Sequence, residues 1–280
     1  MNTKIAEAEI VESLSRSGYL FESEIISKLS KLNYFVESNI PMLDPSTLKT
    51  REIDLTAEYS HPERNGNYEI VMAHTKFVFE IKNNDNFPLV LLTKYEHSPN
   101  VDIWDALKVS LSLPLDLENY FFDNFFDALV DLDSPELYTQ YCSFMRKKDK
   151  EKNELMAYHP EILYSGLLKL GQYCEQKNGY RISDWFRSHL HLPVVLLNDD
   201  LYEFEIDSTG KNNLRKVDCS KLLFSYHFED RPRQAIIYIV TKAGLDDFLI
   251  KIRDAEELVK KNMLDARERA ENDKKNNKNG

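Results

Sequence analysis

Glycine and cysteine are both scarce in this chain. Eight glycines in 280 residues, with no Gly-rich cluster and no Gly-Lys-Ser/Thr, supply no loop to cradle a nucleoside triphosphate. That argues against a P-loop ATPase. Three cysteines, Cys142, Cys174 and Cys219, stand far apart, with no Cys-x-x-Cys and no Cys/His zinc spacing. A disulfide framework or zinc module is therefore not expected, and reduced thiols of a cytoplasmic protein are. No apolar run approaches the ~20 residues of a membrane helix. The stretch Met1–Glu9 is too acidic for a signal or transit peptide. The histidines show no metal-ligand spacing, and no serine sits in a nucleophile elbow. Net positive charge is also missing. At −11 the chain is a poor non-specific clamp for a polyanion.

What is abundant is apolar and aromatic character, 42% and 11% of residues, enough for a substantial core. The acidity is uneven. Between Glu96 and Pro135 there are nine acidic residues and one basic residue, Lys108. Within that stretch, 117–132 has the spacing of an amphipathic helix, with Phe121, Phe122, Phe125, Phe126 and Leu129 on one face and acids on the other. The segment at about 98–152 thus reads as an acidic helical insertion, closed by the basic run Arg146–Lys152. It is a candidate docking face for a basic protein partner.

Helical spacing is present over 3–14 and 20–32, the second with the stripe Phe21, Ile25, Ile26, Leu29 and Leu32. Strand patterns follow at 34–40, 51–59, 68–73, 76–82 and 88–93. Helix 160–177, strands 193–197, 201–206 and 235–241, and a long charged helix over 244–270 come later. The pattern predicts a single α/β domain over 1–271, with a mixed central sheet flanked by helices. Residues 272–280 read as a disordered tail.

The strand Phe77-Val-Phe-Glu80-Ile-Lys82 carries the chemistry. Alternation sends Phe77, Phe79 and Ile81 to one face and Glu80 and Lys82 to the other. An acid and a lysine among such apolar neighbours need a partner or a metal. Asp54, in Ile53-Asp54-Leu55, has a similar setting. Asp54 and Glu80 are hard oxygen ligands suited to Mg2+ or Mn2+, and the Ile81 carbonyl can complete the protein's share of the shell. Lys82 is placed to orient a water and offset phosphate charge. Glu22, on the stripe side of the second helix, could add a metal ligand or hold a water; Glu24 competes for that position. Glu52 shares a strand face with Asp54. His189 and His191 read as structural, and Gln176-x-x-x-Tyr180 as a chance spacing.

Three stretches, Gly18-Tyr-Leu-Phe-Glu22 through Leu29, Arg51-Glu-Ile-Asp54-Leu-Thr-Ala57, and Phe77-Val-Phe-Glu80-Ile-Lys82, together resemble the PD-(D/E)XK, or restriction-endonuclease-like, nuclease superfamily. Leu29-Ser-Lys-Leu-Asn33-Tyr34 resembles that family's helix end, with Asn33 where glycine is usual. The resemblance covers roughly residues 18–95. It implies an αβββαβ core, here with the helical insertion and the long C-terminal helix added. It also implies Mg2+- or Mn2+-dependent hydrolysis of DNA by Asp54, Glu80, Lys82 and Glu22, in DNA processing or defence, with a homodimer as a common assembly. The competing expectations are a non-catalytic interaction protein on the same fold and an RNA-directed nuclease.

Overall fold

The computed structural model describes residues 5–45, 47–59, 63–64, 70–84, 87–95, 106, 111–112, 136–148, 153–178 and 187–278. The phenylalanine-rich stretch 117–132 and Tyr180 lie outside them. The chain opens with α1 (Glu7–Ser17) and α2 (Tyr19–Lys31), joined at Gly18, whose φ of 88° is left-handed. Phe21, Ile25 and Leu29 of α2 are buried at the spacing of one helical face. Asn33 then turns the chain with φ 64°, the left-handed exit that asparagine tolerates.

A mixed sheet follows. Its strands are β1 (Phe35–Leu43), β2 (Thr50–Glu58), β3 (Glu63–Arg64), β4 (Ile70–Lys82), β5 (Leu89–Lys94), β6 (Leu111–Ser112), β7 (Tyr138–Lys148), β8 (Asn153–Tyr158), β9 (Arg187–Leu197), β10 (Leu201–Ile206), β11 (Asn212–Val217), β12 (Cys219–Phe228) and β13 (Arg231–Thr241). Helix α3 (Glu161–Asn178) precedes β9, and α4 (Leu245–Lys278) follows β13. Among the described residues the strand order is β1-β2-β4-β9-β13-β12-β7-β5-β10-β11, with β3 on β4, β6 on β9 and β8 on β7. β1, β2 and β4 form an antiparallel meander; β9 lies parallel to β4, reached through α3.

Two cores sandwich this sheet. On one face Phe77 and Phe79 stack at 5.7 Å and Phe77 meets Phe248 of α4, in a core with Ile25 and Leu29 of α2. On the other, Leu163, Leu167 and Leu170 of α3 pack over Ile53, Val78 and Val195. Burying each phenylalanine is worth ~2–3 kcal/mol, and a slip of one residue in β4 would turn both away from this core and into the α3 face. The aromatic anchors therefore fix the register that sends Glu80 and Lys82 toward α3.

Two stretches read otherwise from the sequence pattern, and β8, β11 and β12 are strands beyond it. Residues 138–148 fall inside the segment expected to be a helical insertion, yet they form β7, paired with β5, β8 and β12. Tyr141 and Ser143 are buried at period two, as a strand places them, and the adjacent Leu137 and Tyr138 enter the cores on opposite faces. Helix α4 continues to Lys278, past Asn272. Its last turns are Glu-, Lys- and Arg-rich, contain no glycine or proline, and favour helix without burial. No helix among the described residues is long and apolar enough to cross a membrane.

Candidate active site

The site forms where β2 and β4 part. Their pairing runs from Glu58↔Lys76 to Leu55↔Phe79. One residue further, the Asp54 side chain takes over from the backbone: Ile81 N–H donates to Asp54 Oδ2 at 2.8 Å. In a strand the N–H and C=O of one residue leave by the same edge. The Ile81 carbonyl thus shares the Asp54 edge, while the Lys82 carbonyl on the opposite edge accepts from Asn198 N–H at 3.1 Å.

Glu80 is 2% exposed. Its Oε1 accepts from Lys82 Nζ at 2.5 Å, the two side chains projecting from the same face of β4. A second lysine, Lys169 of α3, reaches the same carboxylates. Its Nζ lies 2.6 Å from Glu80 Oε2, 3.5 Å from Asp54 Oδ1, and donates to the Glu52 carbonyl at 2.9 Å. The approach to Glu80 Oε2 is close but out of line, so among the described residues that buried oxygen lacks a directed hydrogen-bond donor. Helix α3 comes this near because residue 166 is glycine. A Cβ there would stand 2.7 Å from Glu80 Cγ and 2.9 Å from Oε1.

Glu22 lies in the first turn of α2, where the helix dipole favours an acid. Burial raises its pKa; Asp54 and Glu80 raise it further, against the opposing pull of Lys169 and Lys82. Glu22 therefore belongs to the same electrostatic unit. Glu24 does not: it pairs at 2.7 Å with Lys242.

The structure thus brings together Glu22, Asp54, Glu80 and Lys82, with the Ile81 backbone. Glu52 contributes its carbonyl, and its side chain is exposed. Gln176 is committed elsewhere, donating to the Leu43 carbonyl at 2.7 Å. Lys169 and Gly166 are the residues that sequence reasoning missed. The signal available was a lone lysine in Gly166-Leu-Leu-Lys169-Leu, one turn after a glycine, in a helix otherwise free to be apolar there.

Among the described residues, no three His, Cys, Asp or Glu side chains gather closely enough to hold a metal between them. A divalent ion here would rest on two carboxylates and a carbonyl. The donors present fit that need: all are hard oxygens, and the buried Glu80 Oε2 is without a directed donor.

No family model matches this chain, and no curated protein or solved structure matches it.

Proposed function

We propose that the chain is a metal-dependent nuclease of the restriction-endonuclease-like kind, hydrolysing DNA phosphodiester bonds. The observation that carries this reading is the convergence of Asp54 and Glu80 on one point, with Lys82 and Lys169 beside them and a Glu80 oxygen lacking a directed donor. The order α2, antiparallel β1-β2-β4, α3, and β9 parallel to β4 supports it too, since it follows the αβββαβ path implied by the resemblance.

In this mechanism Asp54, Glu80 and the Ile81 carbonyl would hold Mg2+ or Mn2+, with Glu22 nearby in the same electrostatic unit. The ion, when bound, polarises the phosphate and lowers the pKa of a coordinated water. The protein's own groups do the rest. Asp54 is oriented by the Ile81 N–H, so its second oxygen, Oδ1, faces the site. Lys82 directs the attacking water and offsets the negative charge that grows on the phosphate oxygens. Glu22, with its raised proton affinity, is suited to receive the proton that water gives up. The water oxygen bonds to phosphorus, the bridging P–O bond breaks, and the leaving oxygen is protonated from solvent.

The test is cleavage of plasmid, linear and single-stranded DNA with Mg2+ or Mn2+, compared with Asp54→Asn and Lys82→Ala. Cutting that needs the metal and disappears in both variants supports the proposal. Equal cutting by the variants overturns the site.

A further inference from the structure

Lys169 makes no ordinary ion pair. Its ammonium is gathered by three oxygens from three residues: the Glu52 carbonyl at 2.9 Å, Asp54 Oδ1 at 3.5 Å and Glu80 Oε2 at 2.6 Å. Two carboxylates and one carbonyl are the donor types that a hard divalent cation takes. Only the carbonyl contact has good hydrogen-bond geometry. The Glu80 contact is out of line, and the Asp54 contact is at the outer limit. The ammonium is held chiefly as a point charge, which is the role lysine plays better than arginine.

The charges deepen the point. Lys82 and Lys169 face Asp54, Glu80 and Glu22, and a dication added beside Asp54 and Glu80 is repelled by both ammonium groups. Among the described residues Lys82 pairs with Glu80, through Oε1. Lys169 touches both acids, including the Glu80 oxygen that lacks a directed donor. It is the cation whose position conflicts with an ion bridging Asp54 and Glu80. Its place is built into the fold: Gly166, one turn earlier, lets α3 sit close enough for the lysine stem to reach.

We propose that Lys169 is a tethered competitor for the metal position, so that binding of Mg2+ or Mn2+ requires its ammonium to leave Asp54 and Glu80. This rests on the metal-dependent reading above and adds regulation to it: Lys169 sets the metal concentration at which the site charges.

The experiment uses the full-length protein and Mn2+ alone, with no nucleic acid. Mn2+ binding is followed by calorimetry and by the loss of the free-ion paramagnetic signal, for the wild type, Lys169→Met and Glu80→Gln. Lys169→Met is expected to bind Mn2+ about tenfold tighter, and Glu80→Gln to lose binding. Removing Lys169 leaves two acids facing each other and can weaken the fold, so a wild-type measurement accompanies it. Amine acetylation of Lys169, read by peptide mass, should accelerate severalfold when Mn2+ saturates the site. Mn2+ binding that Glu80→Gln abolishes but Lys169→Met leaves unchanged, with no change in Lys169 acetylation, overturns the competitor role and leaves the metal site standing. Failure of Mn2+ to bind any form overturns both.

Discussion

Two clusters of carboxylates sit in the same sheet and are wired differently. At the far end from β2 and β4, Glu203 is 1% exposed, yet both oxygens are served: Arg215 pairs with Oε2 and Ser220 donates to Oε1 at 2.6 Å. Glu136 pairs with Lys94 through one oxygen and accepts from Tyr138 at 3.2 Å through the other, while Tyr138 also reaches Glu205 at 2.8 Å. A hydrogen bond shared with Glu205, then the Lys94 ammonium, hold Glu136 down at about 2. The Glu80 cluster is equally buried, but it leaves one oxygen without a directed donor, and neighbouring Glu22 has its pKa raised by burial first and then by Asp54 and Glu80. A network that satisfies its acids serves the fold. One that holds acids close and partly unsatisfied is prepared for something that arrives later.

The largest expected contrast comes from neutralising one acid in each cluster. Glu80→Gln should lower cleavage by on the order of 10³-fold, the scale of losing a group that stabilises transition-state charge. Its stability cost is tempered by removal of a like charge beside Asp54, although Lys82 and Lys169 lose an ionised partner. Glu203→Gln should leave cleavage intact and lower the unfolding free energy by about 3 kcal/mol, because Arg215 and Ser220 lose an ionised partner. Denaturant melts and rate assays on the two variants separate the roles.

Two glycines of α3 sharpen the same comparison. A Cβ at Gly166 would strike Glu80, and one at Gly171 would stand 2.9 Å from the Tyr226 ring. Each alanine variant should destabilise by about 1–3 kcal/mol through overpacking. Only Gly166→Ala should also impair cleavage, beyond what its melting temperature explains.

His191 gives a pH signature outside both clusters. Burial first, then the neighbouring positive groups His189, Lys76, Lys177 and His74, depress its pKa from 6.5 to about 4. A depressed folded-state pKa means that the unfolded chain binds the proton more readily. The contribution is therefore full above pH 6.5 and is lost as pH falls from 6.5 toward about 4. The loss is on the order of 3 kcal/mol, and His191→Gln should flatten that limb of a stability–pH curve. The smallest effect belongs to Lys94→Met. Its pair with Glu136 is half exposed on the lysine side, and the change should cost less than ~1 kcal/mol.

Much of the acid site was legible because strand alternation is a local property. Phe77 and Phe79 declare the buried face, and Glu80 and Lys82 follow on the other. Asn33 likewise announced a left-handed helix exit, observed at φ 64°. Lys169 was not legible in this way. Its meeting with Asp54 and Glu80 depends on how α3 lies across β2 and β4, a long-range packing fact with no short-range pattern. β11 was hidden for another reason. Asn212–Leu214 through Val217 is polar and largely exposed, held to β10 by backbone pairing and by the Arg215–Glu203 ion pair. β12 buries Leu222 and Phe224 on one face and Leu223 on the other, so it offers no clean period to read.

The most direct measurement is DNA cleavage by the purified chain in Mg2+ and Mn2+, with chelator, Glu80→Gln and Lys82→Ala as parallel arms and an RNA strand as competitor. The account predicts cutting that requires the metal, is lost in both variants, and is not suppressed by RNA. Cutting that survives both substitutions, or DNA left whole under every metal condition, would contradict it.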